Sequence, residues 1–262
     1  MSFTMKPKKN ILFDLDGTLL PMDINEFEKA YFMGLCGCMI DRIDPKDLYK
    51  HIWGGTKQMV LNTGPKTNME VFRDYFNNNT SLDYDECESI FLDFYANEFQ
   101  NCVNACKVTN LSKEIVSTLQ EKGYTVAIAT NPIFPQIATY SRLNWLHIDP
   151  ESLSLVTTFE NSHSAKPNPA YYKEVCESLK VAPEDCIMIG NDVAEDGIAK
   201  KLGMEVMLIE DCLLNKDNLP TDDFQMGSLK DLLEWAKSLP EVKKTNMAPI
   251  RCHLSYINRI ES

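Results

Sequence analysis

Asn10-Ile11-Leu12-Phe13-Asp14-Leu15-Asp16-Gly17-Thr18-Leu19 is the stretch on which the reading of this chain turns. Ile11-Leu12-Phe13 is an apolar run too short for a helix, and it reads as a buried strand. Asp14 and Asp16 follow at its carboxyl end, where open parallel sheets hold their ligands. Alternation along an extended turn points both side chains toward one place. Two carboxylates so close repel each other unless a divalent cation or a shared proton lies between them, and hard oxygen donors suit Mg2+. Gly17 lets the backbone turn sharply beside a ligand. The same residues also suit a plain strand-ending turn, so the rest of the chain has to decide.

Outward from this stretch, short apolar runs recur at 124–129, 155–158, 186–189 and 205–209. Helical patterns lie between or after them at 112–122, 132–145, 169–179, 193–202 and 228–239, with Gly123 and Gly203 as helix stops. This alternation predicts an α/β fold, a doubly wound parallel sheet covered by helices on both faces. One interval breaks the rhythm. About a hundred residues separate the first two strands, whereas a βαβ unit takes roughly thirty. Apolar residues there recur at helical spacing, as in Phe27, Tyr31 and Leu35 and again in Phe91, Phe94 and Tyr95. The expectation is an α/β core from 1–20 and 107–240, a small all-helical domain over 21–106 and a C-terminal extension over 241–262.

Three further groups fall at or near strand ends. Thr130-Asn131 closes the second strand, and a hydroxyl with backbone N–H groups at a helix start suits an anion, though a threonine there also serves as a helix cap. Lys166 lies in Ser164-Ala165-Lys166-Pro167-Asn168-Pro169, a loop restricted by two prolines; alone it would read as a solvated charge. Gly190-Asn191-Asp192-Val193-Ala194-Glu195-Asp196 follows the 186–189 strand with another set of carboxylates, which could equally be caps and dipole partners.

Composition narrows the function classes. The chain has 262 residues, 44% of them hydrophobic and 24% charged, which is enough for one large domain or two modest ones. Lys+Arg 26 against Asp+Glu 38 gives a net charge of −12, which disfavours nucleic acid and anionic membranes as partners. An anionic substrate would then need a local metal ion or lysine. The apolar stretch after Lys6, Lys8 and Lys9 is too short for a signal peptide or a membrane span, and nine scattered cysteines suggest reduced thiols in the cytoplasm. Cys36 with Cys38 and Cys102 with Cys106 lack the usual zinc spacing and read as small buried hydrophobes. The Cys36 to Arg42 interval matches the cysteine-phosphatase spacing, but in apolar, helix-like surroundings unsuited to a thiolate. Trp53-Gly54-Gly55-Thr56-Lys57 lacks the Walker spacing and is expected as a glycine-bearing turn able to close over a site.

In their order along the chain, these four groups resemble the motifs of the haloacid dehalogenase superfamily of phosphohydrolases. The resemblance covers nearly all of 10–239, with 21–106 where that family carries a helical cap. It implies that Asp14 is a nucleophile forming an aspartyl-phosphate and that Asp16 is the general acid/base. Mg2+ would be held by Asp14, by Asp16 through its backbone carbonyl, and by Asp192. Thr130, Asn131 and Lys166 would hold the phosphoryl oxygens, with Asp196 orienting Lys166 from behind. Asn191 stands where many members have Gly directly before the metal-binding Asp, and the metal role is carried onto Asp192. True dehalogenases of the family lack the second aspartate, so Asp16 favours phosphoryl transfer. The expected activity is Mg2+-dependent hydrolysis of a small phosphorylated metabolite, with phosphoglycolate, sugar phosphates and nucleoside monophosphates unranked. A phosphosugar mutase and a non-catalytic phospho-ligand binding protein are the alternatives. Oligomeric state is not readable.

Overall fold

The computed structural model describes residues 3, 4 and 7–242. Five strands, β1 (Asn10–Phe13), β2 (Thr125–Ile128), β3 (Cys186–Gly190), β4 (Glu205–Ile209) and β5 (Gln225–Gly227), form one sheet in the order β2-β1-β3-β4-β5. Every neighbouring pair is parallel. Alternate side chains of β1 enter separate cores. Ile11 and Phe13 pack with α5 (Asn110–Glu121), α6 (Gln136–Trp145) and α8 (Leu229–Ser238), whereas Leu12 packs with α7 (Pro169–Leu179). The doubly wound α/β expectation therefore holds.

Between β1 and α5 lie α1 (Ile24–Met39), α2 (Pro45–Val60), α3 (Asn68–Asn79), α4 (Tyr84–Ala96) and a 3-10 segment (Glu98–Ala105). Each α-helix starts where a side-chain oxygen takes up orphan backbone N–H groups: Asp23, Asp44 and Asp83 do so for α1, α2 and α4. Thr67 and Glu70 close a capping box on α3. The aromatic stripe read from the sequence is the seam: Tyr31 meets Phe94 edge to face at 5.4 Å and shares a 3.0 Å hydroxyl contact with Tyr95.

Four elements depart from expectation. The run 155–158 forms a single bridge, Val156 to Ile128, because the Asn161 side chain claims the Val156 carbonyl (2.9 Å) and turns the chain away. The helix expected over 132–145 begins at Gln136: Pro135 takes the N-cap position, and Glu160 from a neighbouring loop accepts the Gln136 N–H. Over 193–202 there are turns and a 3-10 segment (Gly197–Leu202), since the Leu214 backbone takes the Asn191 carbonyl and the Val193 N–H (2.8 and 2.9 Å) and the Asp196 carboxylate turns back to the Asn191 and Asp192 amides. Trp53 to Lys57 is mid-helix in α2 and not a turn; Gly54 and Gly55 leave room for Tyr75 and Phe72 of α3, which a Cβ would meet at 1.9 and 2.6 Å. β5 was not anticipated, and of the extension 241–262 only Glu241 and Val242 are among the described residues. No helix among them is long and apolar enough to cross a membrane.

The helical insertion is tied to the sheet domain at Asn68, which is fully buried. Its side chain donates to the Pro132 and Ser164 carbonyls (3.0 and 3.1 Å) and accepts from Asn62 (2.9 Å), while its own N–H donates to Ser162 (2.8 Å). Asn68→Ala strands two buried carbonyls, each worth about 1–3 kcal/mol. A stability loss of about 2–4 kcal/mol is expected in urea unfolding; a loss below about 0.5 kcal/mol would show that the tie does not matter.

Candidate functional site

Strand register brings the sequence groups together. Phe13 pairs with Ile128 on one side and with Ile189 on the other, so the residues following β1, β2 and β3 emerge side by side. The seam continues one step further, with Asp14 N–H donating to Ile189 O (2.8 Å) and Ala129 N–H to Phe13 O (2.7 Å).

Lys166 is the centre of the arrangement. It is 1% exposed, and its Nζ lies 2.9 Å from Asp14 Oδ1 and 2.6 Å from Asp196 Oδ1. Burial pulls the ammonium down, but the Asp14 and Asp196 carboxylates more than offset it and hold Lys166 well above the ordinary lysine range. The other Asp196 oxygen accepts the N–H groups of Asn191 and Asp192, each at 2.9 Å. One carboxylate thus fixes both the lysine and the loop after β3. Gly190 makes this possible, since a Cβ there would lie 2.0 Å from Asp196 Oδ2.

Asp14 is 7% exposed. Burial pushes its carboxyl up to about 7, with Lys166 opposing and Asp196 adding to the rise. Asp16 is half-buried, and one of its oxygens pairs with the Arg142 guanidinium. Burial also raises its carboxyl, against Arg142 and Lys166, and its second oxygen, Oδ1, is buried without a hydrogen-bond partner. Thr130 is buried in the loop after β2, well short of the helix start, with its carbonyl accepting from the Tyr171 hydroxyl and the Thr157 hydroxyl (both 2.8 Å). Asn131 donates to Glu195 (3.1 Å) and leaves its buried Oδ1 unpartnered.

One oxygen of Asp192 is committed to its own loop: Oδ1 accepts the N–H groups of Ala194 and Glu195 (2.8 and 2.9 Å), in the manner of an Asx turn. Asn191 is linked to Asp14 through Thr18, whose hydroxyl lies 2.9 Å from Asn191 Oδ1 and 3.2 Å from Asp14 Oδ2. Gly17, with φ +82°, fits beneath this contact, since a Cβ would come within 2.4 Å of the Asn191 amide. Consistent with these orientations, no three His, Cys, Asp or Glu side chains converge as a metal cluster among the described residues. The donor set nevertheless fits a divalent cation. Asp14, Asp16, Asp192, Glu195 and Asp196 outnumber Lys166 and Arg142 by five carboxylates to two cations, and two oxygens at the site are orphaned.

Arg142 and the pair Tyr171 and Tyr172 have no place in the sequence reading, and Asn191 and Glu195, quoted there within the fourth group, have no role in it. Tyr172 donates to the Glu195 carbonyl (2.9 Å), so α7 braces both loops from beneath. Arg142 is 1% exposed, donates to Ala138 O (3.2 Å) and lies 4.5 Å from the centroid of Phe134. Its signal was the run Ala138, Thr139 and Arg142 on one helix face, with small residues making a notch for the guanidinium. By contrast, burial raises the Cys36 thiol, the reverse of what a thiolate nucleophile needs.

A family model described as haloacid dehalogenase-like hydrolase matches residues 11–209. The chain belongs to that family of hydrolases. It is 25% identical over 122 residues to the pyrophosphatase PpaX of Anoxybacillus flavithermus, a match covering 46% of this chain and 55% of that protein. The chain thus spans about half the length of this curated relative. Among solved structures, the magnesium-bound HAD-hydrolase YfnB of Bacillus subtilis superposes with a TM-score of 0.56 at 18% identity, covering 88% of this chain and 100% of that one. A predicted phosphoglycolate phosphatase from Haemophilus somnus 129pt gives 0.54 at 20%, covering 88% and 99%. At these identities the two likenesses establish the fold.

Two outcomes follow from the electrostatics. Removing Arg142 leaves Asp16 unpaired beside a buried void, a loss of about 3–5 kcal/mol for a fully buried pair. Asp16 is 26% exposed and is able to take up a proton, so Arg142→Leu should cost about 2–3 kcal/mol. Adding Asp16→Asn should recover part of that loss in thermal unfolding; strict additivity would argue against the pairing. The second outcome concerns pH. Burial raises Asp14, Asp16, Glu160 and Glu195 above their ordinary values, so between roughly pH 4 and pH 7 the folded chain binds more protons than the unfolded one. Stability of the chelator-treated protein therefore falls as pH rises through that window, giving a higher Tm near pH 5 than near pH 8. Asp14→Asn should narrow the difference, and a Tm that rises across the window would contradict it.

Proposed function

We propose that this hydrolase is an Mg2+-dependent phosphatase acting on small phosphomonoesters in the cytoplasm, with 21–106 serving as a cap over the site. The observation that carries the reading is the buried Lys166 held between Asp14 and Asp196 at the ends of β1 and β3. A nucleophilic carboxylate beside a fixed ammonium suits attack on an anionic phosphoryl group, whose oxygens the ammonium stabilises. The eight cysteines among the described residues are all free, in keeping with a reducing compartment.

In this proposal an Asp14 oxygen attacks phosphorus and the bond to the leaving oxygen breaks. Asp16 gives its proton to that oxygen. Water then attacks the aspartyl-phosphate, loses a proton to Asp16, and releases inorganic phosphate with Asp14 restored. A carboxyl raised by burial is suited to carrying that proton near neutral pH. Lys166, Thr130 and the Asn131 backbone hold the phosphoryl oxygens, and Asp196 positions Lys166. The cation would be held by the Asp14 carboxylate, the Asp16 carbonyl and the loop after β3, where Asn191 is the oxygen donor linked to Asp14 through Thr18 and Asp192 the neighbouring carboxylate. When bound, it supplies charge neutralisation between two anions.

The test is phosphate release from a panel of small phosphomonoesters with and without Mg2+. Turnover requiring Mg2+ is expected, with a loss of about a thousandfold or more in Asp14→Asn. Asn191→Ala should raise the Mg2+ concentration for half-maximal rate more than Asp192→Ala does. Undiminished turnover in Asp14→Asn would sink the mechanism.

A further inference from the structure

Between the helical insertion and the strand ends lies a cavity of about 250 Å3. Asp16 and Asn131 form its floor, and each contributes a buried oxygen with no hydrogen-bond partner. Neither Asp14 nor Lys166 lines it. The cavity therefore begins where Asp16 would protonate a leaving oxygen and extends away from the phosphoryl position, into the space a leaving group must fill.

Its walls have an unusual character for a site handling phosphate esters. Ten of its twenty lining residues are aromatic, among them Tyr31, Phe32, Trp53 and Phe134, and none is Lys, Arg or His. The charged groups lining it are Asp16, Glu28 and Glu195. Asp16 is paired with Arg142 and Glu195 with Asn131. A second phosphate or a carboxylate on the leaving group would meet only like charge and apolar surface, with no cation to offset its desolvation. A polyhydroxylated sugar would find acceptors at the floor, on Asp16 and Asn131, but would lay its remaining hydroxyls against largely aromatic walls. A dry apolar cavity of about 150 Å3 already takes up benzene, so this one has room for a substituted or fused ring. At its mouth Trp53 is 40% exposed and Phe32 stands 6.1 Å from it, centroid to centroid, with Phe32 in turn 4.5 Å from Tyr49.

We infer that the leaving group is an uncharged aromatic ring system, so that the substrates are monoesters of apolar ring alcohols or phenols. This inference rests on the phosphatase reading of the same site. The reaction it implies is cleavage of the P–O bond to the ring-bearing oxygen, that oxygen taking its proton from Asp16 and water supplying the oxygen of the released phosphate.

The experiment compares a naphthyl ester with an alkyl leaving oxygen, 2-(1-naphthyl)ethyl phosphate, with glucose 6-phosphate, phosphoglycolate, pyrophosphate and phosphocholine, using the full chain with Mg2+. Expected is a kcat/KM for the naphthyl ester at least about tenfold above each of the others, a ratio set by apolar burial. Trp53→Ala, at the mouth of the cavity and checked for folding by its thermal transition, should cut that ratio about fivefold, chiefly through KM. Thr56→Lys, which sets a cation in the wall, should shift preference toward phosphoglycolate. Any of the four competitors matching the naphthyl ester would overturn the inference while leaving the phosphatase reading intact, and phosphocholine in the lead would mark the cavity as a cation cage. Calorimetric titration of Asp14→Asn with the same esters separates the two readings. Selective binding of the naphthyl ester without turnover in the native chain would retain the cavity assignment and fail the phosphatase reading, whereas equal or absent binding would fail the cavity assignment.

Discussion

A fully buried ammonium is the constraint around which this molecule is organised. Lys166 has given up its hydration, and an isolated charge in that position would be prohibitive. Asp14 and Asp196 make it tolerable, and each is tied to a different strand end. Because Asp196 also gathers the amides of Asn191 and Asp192, the loop after β3 is shaped by the same charge that neutralises the lysine. β1, β3 and the Lys166 loop consequently stand or fall together, and the in-register pairing of β1 with both neighbours holds the three chain segments at one level.

The electrostatic balance of the site is uneven by construction. Five carboxylates against two cations would be a poor way to stabilise a fold, and burial raises several of the carboxyls above their ordinary range. Arg142 and Lys166 make their direct contacts with different members of the first pair, Arg142 with Asp16 and Lys166 with Asp14. Two aspartates two residues apart therefore sit in distinct surroundings, which is how a single short turn can host groups of different acidity. Local instability of this kind is common where chemistry is performed.

Much of this was legible in the sequence because the rules that write it are local. The strand 10–13, the strand 205–209 and the helix 169–179 lie where apolar runs, Pro169 and Asn168 place them. Asp14, Thr130 and Asp196 stand out by their position after apolar runs and Lys166 by its proline-bounded loop, and the structure brings Asp14, Lys166 and Asp196 into contact. What was missed depends on side chains overruling the backbone pattern. Val193 to Leu202 has a helical rhythm, yet the Leu214 backbone and the Asp196 carboxylate draw the start of that run into a loop. Arg142 near a helix end looks like an ordinary solvated dipole partner, and only the three-dimensional approach of Asp16 makes it a core residue. Asn191 was hidden by its neighbour: two adjacent polar side chains cannot be ranked for facing until the turn geometry is known. β5, three residues without an apolar run, owes its existence to the edge of β4.

The placement of β1 also governs when the molecule can come into being. Asn10 pairs with Thr125 and with Cys186, so β1 is made first and gains its second neighbour only when β3 exists. During synthesis the helices between β1 and β2 are able to gather their neighbouring contacts early, while Ile11, Leu12 and Phe13 wait without a partner on either edge. A chain that stopped short of Cys186 would hold its nucleophile candidate, Asp14, on an open apolar strand with neither Asn191 nor Asp196 yet in existence. The order of the sheet thus withholds the reactive centre from every chain that ends before β3 and makes that waiting strand the point most in need of shielding until translation has passed β3.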